Sequence, residues 1–136
     1  FPTLETLAAV LRKRNPRLPA DRAMFVAREW SEPLPDGRAR LRFDPAHKHV
    51  NPILYRRAEA EACWREIRAP VAHVAGTESD FLARLNGAGD AEAMRRFIPQ
   101  LEAHVVAGAG HMLHHEQPEA VARIVERFLA QGAERE

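Results

Sequence analysis

Residues 70–82 read PVAHVAGTESDFL and residues 103–115 read AHVVAGAGHMLHH, and the fold turns on whether both segments open as strands of one sheet. Each begins with a short apolar run that glycine stops. Between them, Asp90 can cap a helix that Pro99 ends. Strand, helical connection and strand make a βαβ unit, whose connection is expected to be right-handed and whose strands are expected to be parallel. After the second run, Pro118 stands at a helix start and Gly132 past its end, with Val121, Ile124, Val125, Phe128 and Leu129 on one face. That helix is expected to pack back on the sheet.

Upstream of residue 70 the character is helical. Leu4, Leu7, Ala8 and Leu11 recur at helical spacing behind Thr3 as a cap, and Ala23, Val26, Ala27 and Trp30 repeat the pattern after RLPAD. A third helix fits Ala60, Cys63, Trp64 and Ile67 and must end by Ala69, because the residue before Pro70 is pushed out of helical geometry. Between Pro33 and Pro52, four prolines and a glycine punctuate the chain, so the expectation is irregular connecting structure. Within it RARLRF, residues 38–43, alternates like a short strand after the turn signal PDG.

The totals narrow the classes. A chain of 136 residues fits one ordinary domain, and 46% hydrophobic with 29% charged residues excludes a disordered composition. Lys and Arg number 20 against 19 Asp and Glu, and the basic residues are scattered apart from RKR at 12–14 and the arginines at 38, 40 and 42. No phosphate-tracking stripe results, so nucleic acid is not expected as a partner. No apolar run approaches the roughly 20 residues that span a bilayer, and no membrane association is expected. Cys63 is the sole cysteine, cannot form an internal disulfide, and beside Trp64 is expected to be a small buried hydrophobe. A reducing, cytoplasmic location fits. Phe1 rather than Met opens the chain, which suits a processed product or a piece of something longer.

Parallel strands are normally buried on both faces and flanked by neighbours, yet only two convincing strands are legible. The missing strands are expected either in sequence outside these residues or in a second chain.

In an open parallel sheet the reactive groups sit in loops at the carboxyl ends of the strands. Those loops are GTESD, residues 76–80, and GAGHMLHH, residues 108–115. An acid after one strand and a histidine after the next put a carboxylate and an imidazole on one rim. Such a pair is the base half of a hydrolytic site, in which the acid holds the imidazole and the imidazole takes a nucleophile's proton. Glu78 and Asp80 both stand at the right distance from Gly76, and spacing does not separate them. The histidines at 111, 114 and 115 also share a helical spacing at which zinc can bind, but HMLHHE matches neither H-E-x-x-H nor H-x-x-E-H, and no metal is expected.

The runs IRAPVAHVAGTESDFL and RRFIPQLEAHVVAGAGHMLHHEQPEAVARIVERFL resemble the C-terminal part of the α/β-hydrolase fold. The resemblance covers about residues 67–131. It implies an α/β fold class: a partial α/β-hydrolase core over residues 68–136, with its last parallel strands and helices, preceded by a helical cap-like segment over residues 1–67. It further implies His111 as the catalytic histidine and Asp80, rather than Glu78, as its acid, with no cofactor. Under a cap, Trp30 and Phe25, together with Met112 beside the histidine, are expected to line a substrate pocket.

Family members carry a nucleophile on a sharp strand-to-helix turn, G-x-S-x-G or an Asp in that place, ahead of the cap. No such elbow exists here. The serines are Ser31, after the second helix, and Ser79, beside the proposed acid. The expectation is therefore a C-terminal portion of a longer hydrolase acting on a small-molecule ester, amide or related bond, inactive alone. The site would be completed by an N-terminal segment or by a homodimer partner. The alternative is a non-catalytic binding or assembly module that self-associates through open sheet edges.

Overall fold

The Thr3 hydroxyl accepts the Thr6 amide at 3.2 Å and opens α1, Leu4–Arg14, in the computed structural model, which describes residues 1–133. In the same first turn, a hydrogen bond from its own backbone N–H and then one with the Thr3 side chain hold the Glu5 carboxyl below the usual carboxylate range. Pro16 keeps Asn15 out of helical geometry, and α1 ends at Arg14. After Pro19 comes α2, Ala20–Trp30. Ala23 and Ala27, one turn apart, are fully buried, and their small side chains let α2 lie close against Leu7 and Ala8 of α1. Leu18, in the turn between the helices, joins this core.

α2 runs into a small hairpin. The Ser31 hydroxyl is buried and donates to the Ala27 carbonyl at 2.6 Å, closing the helix as β1, Ser31–Pro33, begins. β1 pairs antiparallel with β2, Ala39–Leu41, so RARLRF does supply a strand, with its partner at the end of the second helix. The turn between them needs a positive φ, which Gly37 of the PDG signal adopts at 80°. These elements form one compact unit, Phe1–Ile53, and a second begins at Leu54.

The second unit starts with α3, Arg57–Arg65. The Arg57 guanidinium lies 5.0 Å over the Trp64 ring, bonds Glu61 at 2.7 Å and donates to the Ala88 carbonyl at 3.3 Å. The Trp64 ring packs against that of Phe97, tilted by 58° with centroids 5.9 Å apart. Cys63, expected to be buried, is exposed. Trp64 takes the inward side of α3, and the helix buries no residue fully.

The two expected strands form a parallel pair: β3, Val71–Gly76, and β4, Leu101–Val106, run in register from Val71 opposite Leu101 to Gly76 opposite Val106. The Gln100 side-chain amide donates to the Ile67 and Ala69 carbonyls at 2.8 and 3.0 Å, tying the entrances of the strands together. The crossover carries two short helices, α4, Asp80–Arg84, and α5, Ala91–Arg95. β4 leads through a loop to α6, Leu113–Glu116, and then α7, Pro118–Ala133. Among the described residues the pair has no third strand.

That shortage shapes the packing. Ile124 of α7 buries against Val106 and Ala109, with Val74, Leu113, Ala120 and Val121 around them. Val125 and Leu129, expected on the same apolar face, are exposed, as is Val105 of β4. Two strands cover only the first half of the helix face.

β3 ends where the loop after β4 crosses it. A Cβ on Gly76 would fall on the Ala109 carbonyl oxygen and 2.5 Å from that of Gly110. Both obstacles are backbone. Gly76→Ala is therefore expected to destabilise the chain by about 3 kcal/mol. Gly132→Ala, with open space around the added Cβ, is expected to be neutral or stabilising by up to about 1 kcal/mol. Urea denaturation of both variants checks the contrast.

Candidate active site

The rim of the parallel pair is made by two loops that hold each other. The Thr77 amide donates to the Val106 carbonyl at 3.1 Å, extending the strand pairing one step. The Glu78 amide donates to the Ala109 carbonyl at 2.9 Å, and the Thr77 hydroxyl accepts the Gly108 amide at 2.9 Å. Gly108 sits at φ 70°, a conformation that suits glycine and turns the chain back over β3.

Ser79 and Asp80 follow. The Ser79 hydroxyl is buried and accepts the Leu82 amide at 3.3 Å as the cap of α4. Like Ser31, it serves a helix end. Asp80 is the first residue of α4 and its carboxylate is exposed, as is Glu78.

His111 lies on the other loop, exposed, with its imidazole against the ring of Phe81 at 4.6 Å between centroids and 34° between planes. Phe81 follows Asp80 in α4, so the His111 ring meets that helix one residue from the expected acid. Among the described residues no hydrogen bond joins the Asp80 carboxylate to the His111 ring. Phe81 was not singled out in the sequence, where it reads as one more apolar residue of α4.

From the far side, the residues after His111 reach back. The buried Glu116 carboxylate accepts the Gly110 amide at 2.7 Å, and the Gln117 side chain donates to the Ala107 carbonyl at 2.9 Å. Pro118 is the available sequence signal for this, since it forces Gln117 out of α6.

Met112, expected beside the substrate, is half-buried and precedes α6. His114 and His115 lie within α6, ring to ring at 4.1 Å. Among the described residues, no three His, Cys, Asp or Glu side chains are grouped as a metal site requires. In the first unit, Phe25 is exposed on α2 with the Arg22 guanidinium 4.8 Å over its ring. Trp30, at the end of α2, lines an open apolar cleft of about 540 Å³ with Leu7, Leu11 and Phe43.

A family model described as the alpha/beta hydrolase family matches residues 1–124. Among curated proteins, the Escherichia coli esterase YbfF is 56% identical over 32 residues, which cover 24% of this chain and 13% of the esterase. Among solved structures, E-2-(acetamidomethylene)succinate hydrolase superposes with a TM-score of 0.70 at 25% identity, over 96% of this chain and 46% of that one. The Mycobacterium tuberculosis esterase Rv0045c superposes with a TM-score of 0.75 at 21% identity, over 96% of this chain and 42% of that one, a likeness of fold. The chain thus spans less than half the length of these solved structures. No helix among the described residues is long and apolar enough to cross a membrane.

An aromatic ring stacked on an imidazole shifts the imidazole proton resonances, whatever the chain's activity. Phe81→Leu is expected to move the His111 ring protons downfield and leave those of His73 in place, which a ¹H–¹³C spectrum of the histidine side chains reads directly.

Proposed function

The chain belongs to the alpha/beta hydrolase family, and from that membership we propose that it carries the acid and base half of a nucleophile, histidine and aspartate site in a longer polypeptide that hydrolyses an ester or related acyl bond. The observation that most supports this reading is the mutual hydrogen bonding of the loops after β3 and β4, which keeps an exposed imidazole and an exposed carboxylate on one rim.

In this reading His111 takes the proton of an upstream nucleophile as that nucleophile attacks the acyl carbon, then returns it to the leaving group. Asp80 orients the imidazole and stabilises its protonated form, through a hydrogen bond made in the substrate complex. Catalytic contacts of this kind are often long before substrate binds. Backbone amides beside the upstream nucleophile stabilise the developing oxyanion. Glu78 remains the rival acid, on the same loop and also exposed. The esterase and hydrolase relatives point to a carbonyl substrate.

The parallel pair, which has no third strand among the described residues, supports a second reading, a non-catalytic module that self-associates through open sheet edges. It requires a dimer or larger species in solution and a histidine without consequence.

The 136-residue chain alone, which holds no elbow, is expected to hydrolyse p-nitrophenyl acetate no faster than free imidazole does. In the longer polypeptide, His111→Ala is expected to lower kcat/KM by at least ~10³-fold and Asp80→Asn by ~10²-fold or more, with Glu78→Gln within a few-fold of the parent. Unchanged turnover in His111→Ala would remove the hydrolase reading. A loss confined to Glu78→Gln would transfer the acid's role to that residue.

A further inference from the structure

The four residues leading into His111 are each held at one backbone group. Gln117 donates to the Ala107 carbonyl, Thr77 accepts from the Gly108 amide, Glu78 donates its amide to the Ala109 carbonyl, and Glu116 accepts from the Gly110 amide. Two of the four come from the loop before α4, and two from the end of α6, only a few residues beyond His111 itself. The segment 107–117 is therefore a closed clasp, pinned on one side by its neighbour and on the other by its own far end.

Glu116 stands apart within this set. It is one of three buried polar or charged residues among the described ones, with Ser31 and Ser79, and both serines are accounted for by helix ends. Burying a carboxyl group is costly unless it is hydrogen-bonded, and its Oε2 meets the Gly110 amide at 2.7 Å, directly ahead of His111. The main chain on the N-terminal side of the histidine is thus anchored by a carboxylate one short helix beyond it. Pro118 ends α6 at Glu116, which sets where that carboxylate stands.

We propose that Glu116 is a positioning residue, which sets the direction of the His111 side chain by fixing the Gly110 amide, with Gln117 as the second point of the clasp. The inference rests on the hydrolase reading for its consequence in turnover, but not for its geometry. Removing the acceptor leaves the Ala109–Gly110 peptide held at its carbonyl end alone, by the Glu78 amide, and free to tilt about that bond; a resulting displacement of the imidazole on the order of 1 Å costs about 10²-fold in rate. A residue that acts through the imidazole alone lowers kcat and leaves KM nearly unchanged. Glutamine keeps an oxygen in the same place and restores the anchor without the charge.

The test uses the longer polypeptide and pairs two measurements on Glu116→Ala, Glu116→Gln and the exposed control Glu119→Ala. Hydrogen exchange of the Gly110 amide reads the anchor, and steady-state hydrolysis of p-nitrophenyl esters reads its effect. In Glu116→Ala, the Gly110 amide is expected to exchange at least 10-fold faster and kcat to fall about 10²-fold with KM within twofold. In Glu116→Gln both are expected to stay within about fivefold of the parent, and in Glu119→Ala to be unchanged. Parent-like kcat in Glu116→Ala would overturn the proposal, and so would a Glu116→Gln variant that folds yet loses kcat as the alanine variant does. If Glu116→Ala does not fold, a folded Glu116→Gln variant whose kcat falls about 10²-fold overturns the proposal. Parent-like turnover in His111→Ala would sink the hydrolase reading instead, and the Gly110 exchange would still report on the anchor.

Discussion

The carbonyl oxygens of Ala109 and Gly110 occupy the space where any side chain at position 76 would stand. This close approach of two backbones organises the rim of the second unit. It draws the loop after β4 over the end of β3, lets the Glu78 amide reach Ala109, and brings Thr77 to the Gly108 amide. Remove the approach and each of these bonds loses its geometry. Glycine is required at position 76 for lack of a Cβ, and at position 108 for its positive φ, so two glycines serve one crossing for different reasons.

The same unit is an incomplete layer. A parallel pair is normally covered on both faces and continued at its edges. Here Val71 to Ala75 of β3 are all half-buried, and the apolar face of α7 runs past the two strands available to it. The helix keeps its full length because its periodicity and Pro118 start are local properties, whereas burial of Val125 and Leu129 needs surface that two strands do not offer. A chain that spans less than half of its solved relatives and exposes this surface fits the proposed role as one part of a larger hydrolase.

The proposed chemistry and the fold meet in the loops rather than the strands. The strands bring two chain reversals side by side, and the reversals carry the polar groups. Phe81 and His111 touch because α4 begins one residue after its Ser79 cap, which sets the phase of the helix and the side on which Phe81 emerges. Ser79 and Ser31, the two hydroxyls a sequence search would test as nucleophiles, are each committed to a helix end. A nucleophile from another segment is what the proposed reaction needs.

Local rules were enough to read much of this chain. Apolar runs stopped at Gly76 and Gly108, Thr3 at a helix start, PDG before a strand and Pro118 at the last helix all express short-range constraints on φ, ψ and hydrogen bonding, and all appear in the fold. The βαβ order followed from them, and with it the idea of an acid and a histidine on one rim. Contacts between segments distant in sequence were beyond that reach. Cys63 and Trp64 are equally apolar neighbours on a helix, and only the position of Phe97 and Arg57 decides that Trp64 turns inward and Cys63 outward. Glu116 reads as one more charged residue after two histidines until Gly110 is found 2.7 Å from it. Sequence determined where the chain turns, because turning is local; tertiary structure decided which turns grip each other, because that depends on groups about thirty residues apart, such as the Glu78 amide and the Ala109 carbonyl, lying within a hydrogen bond of one another.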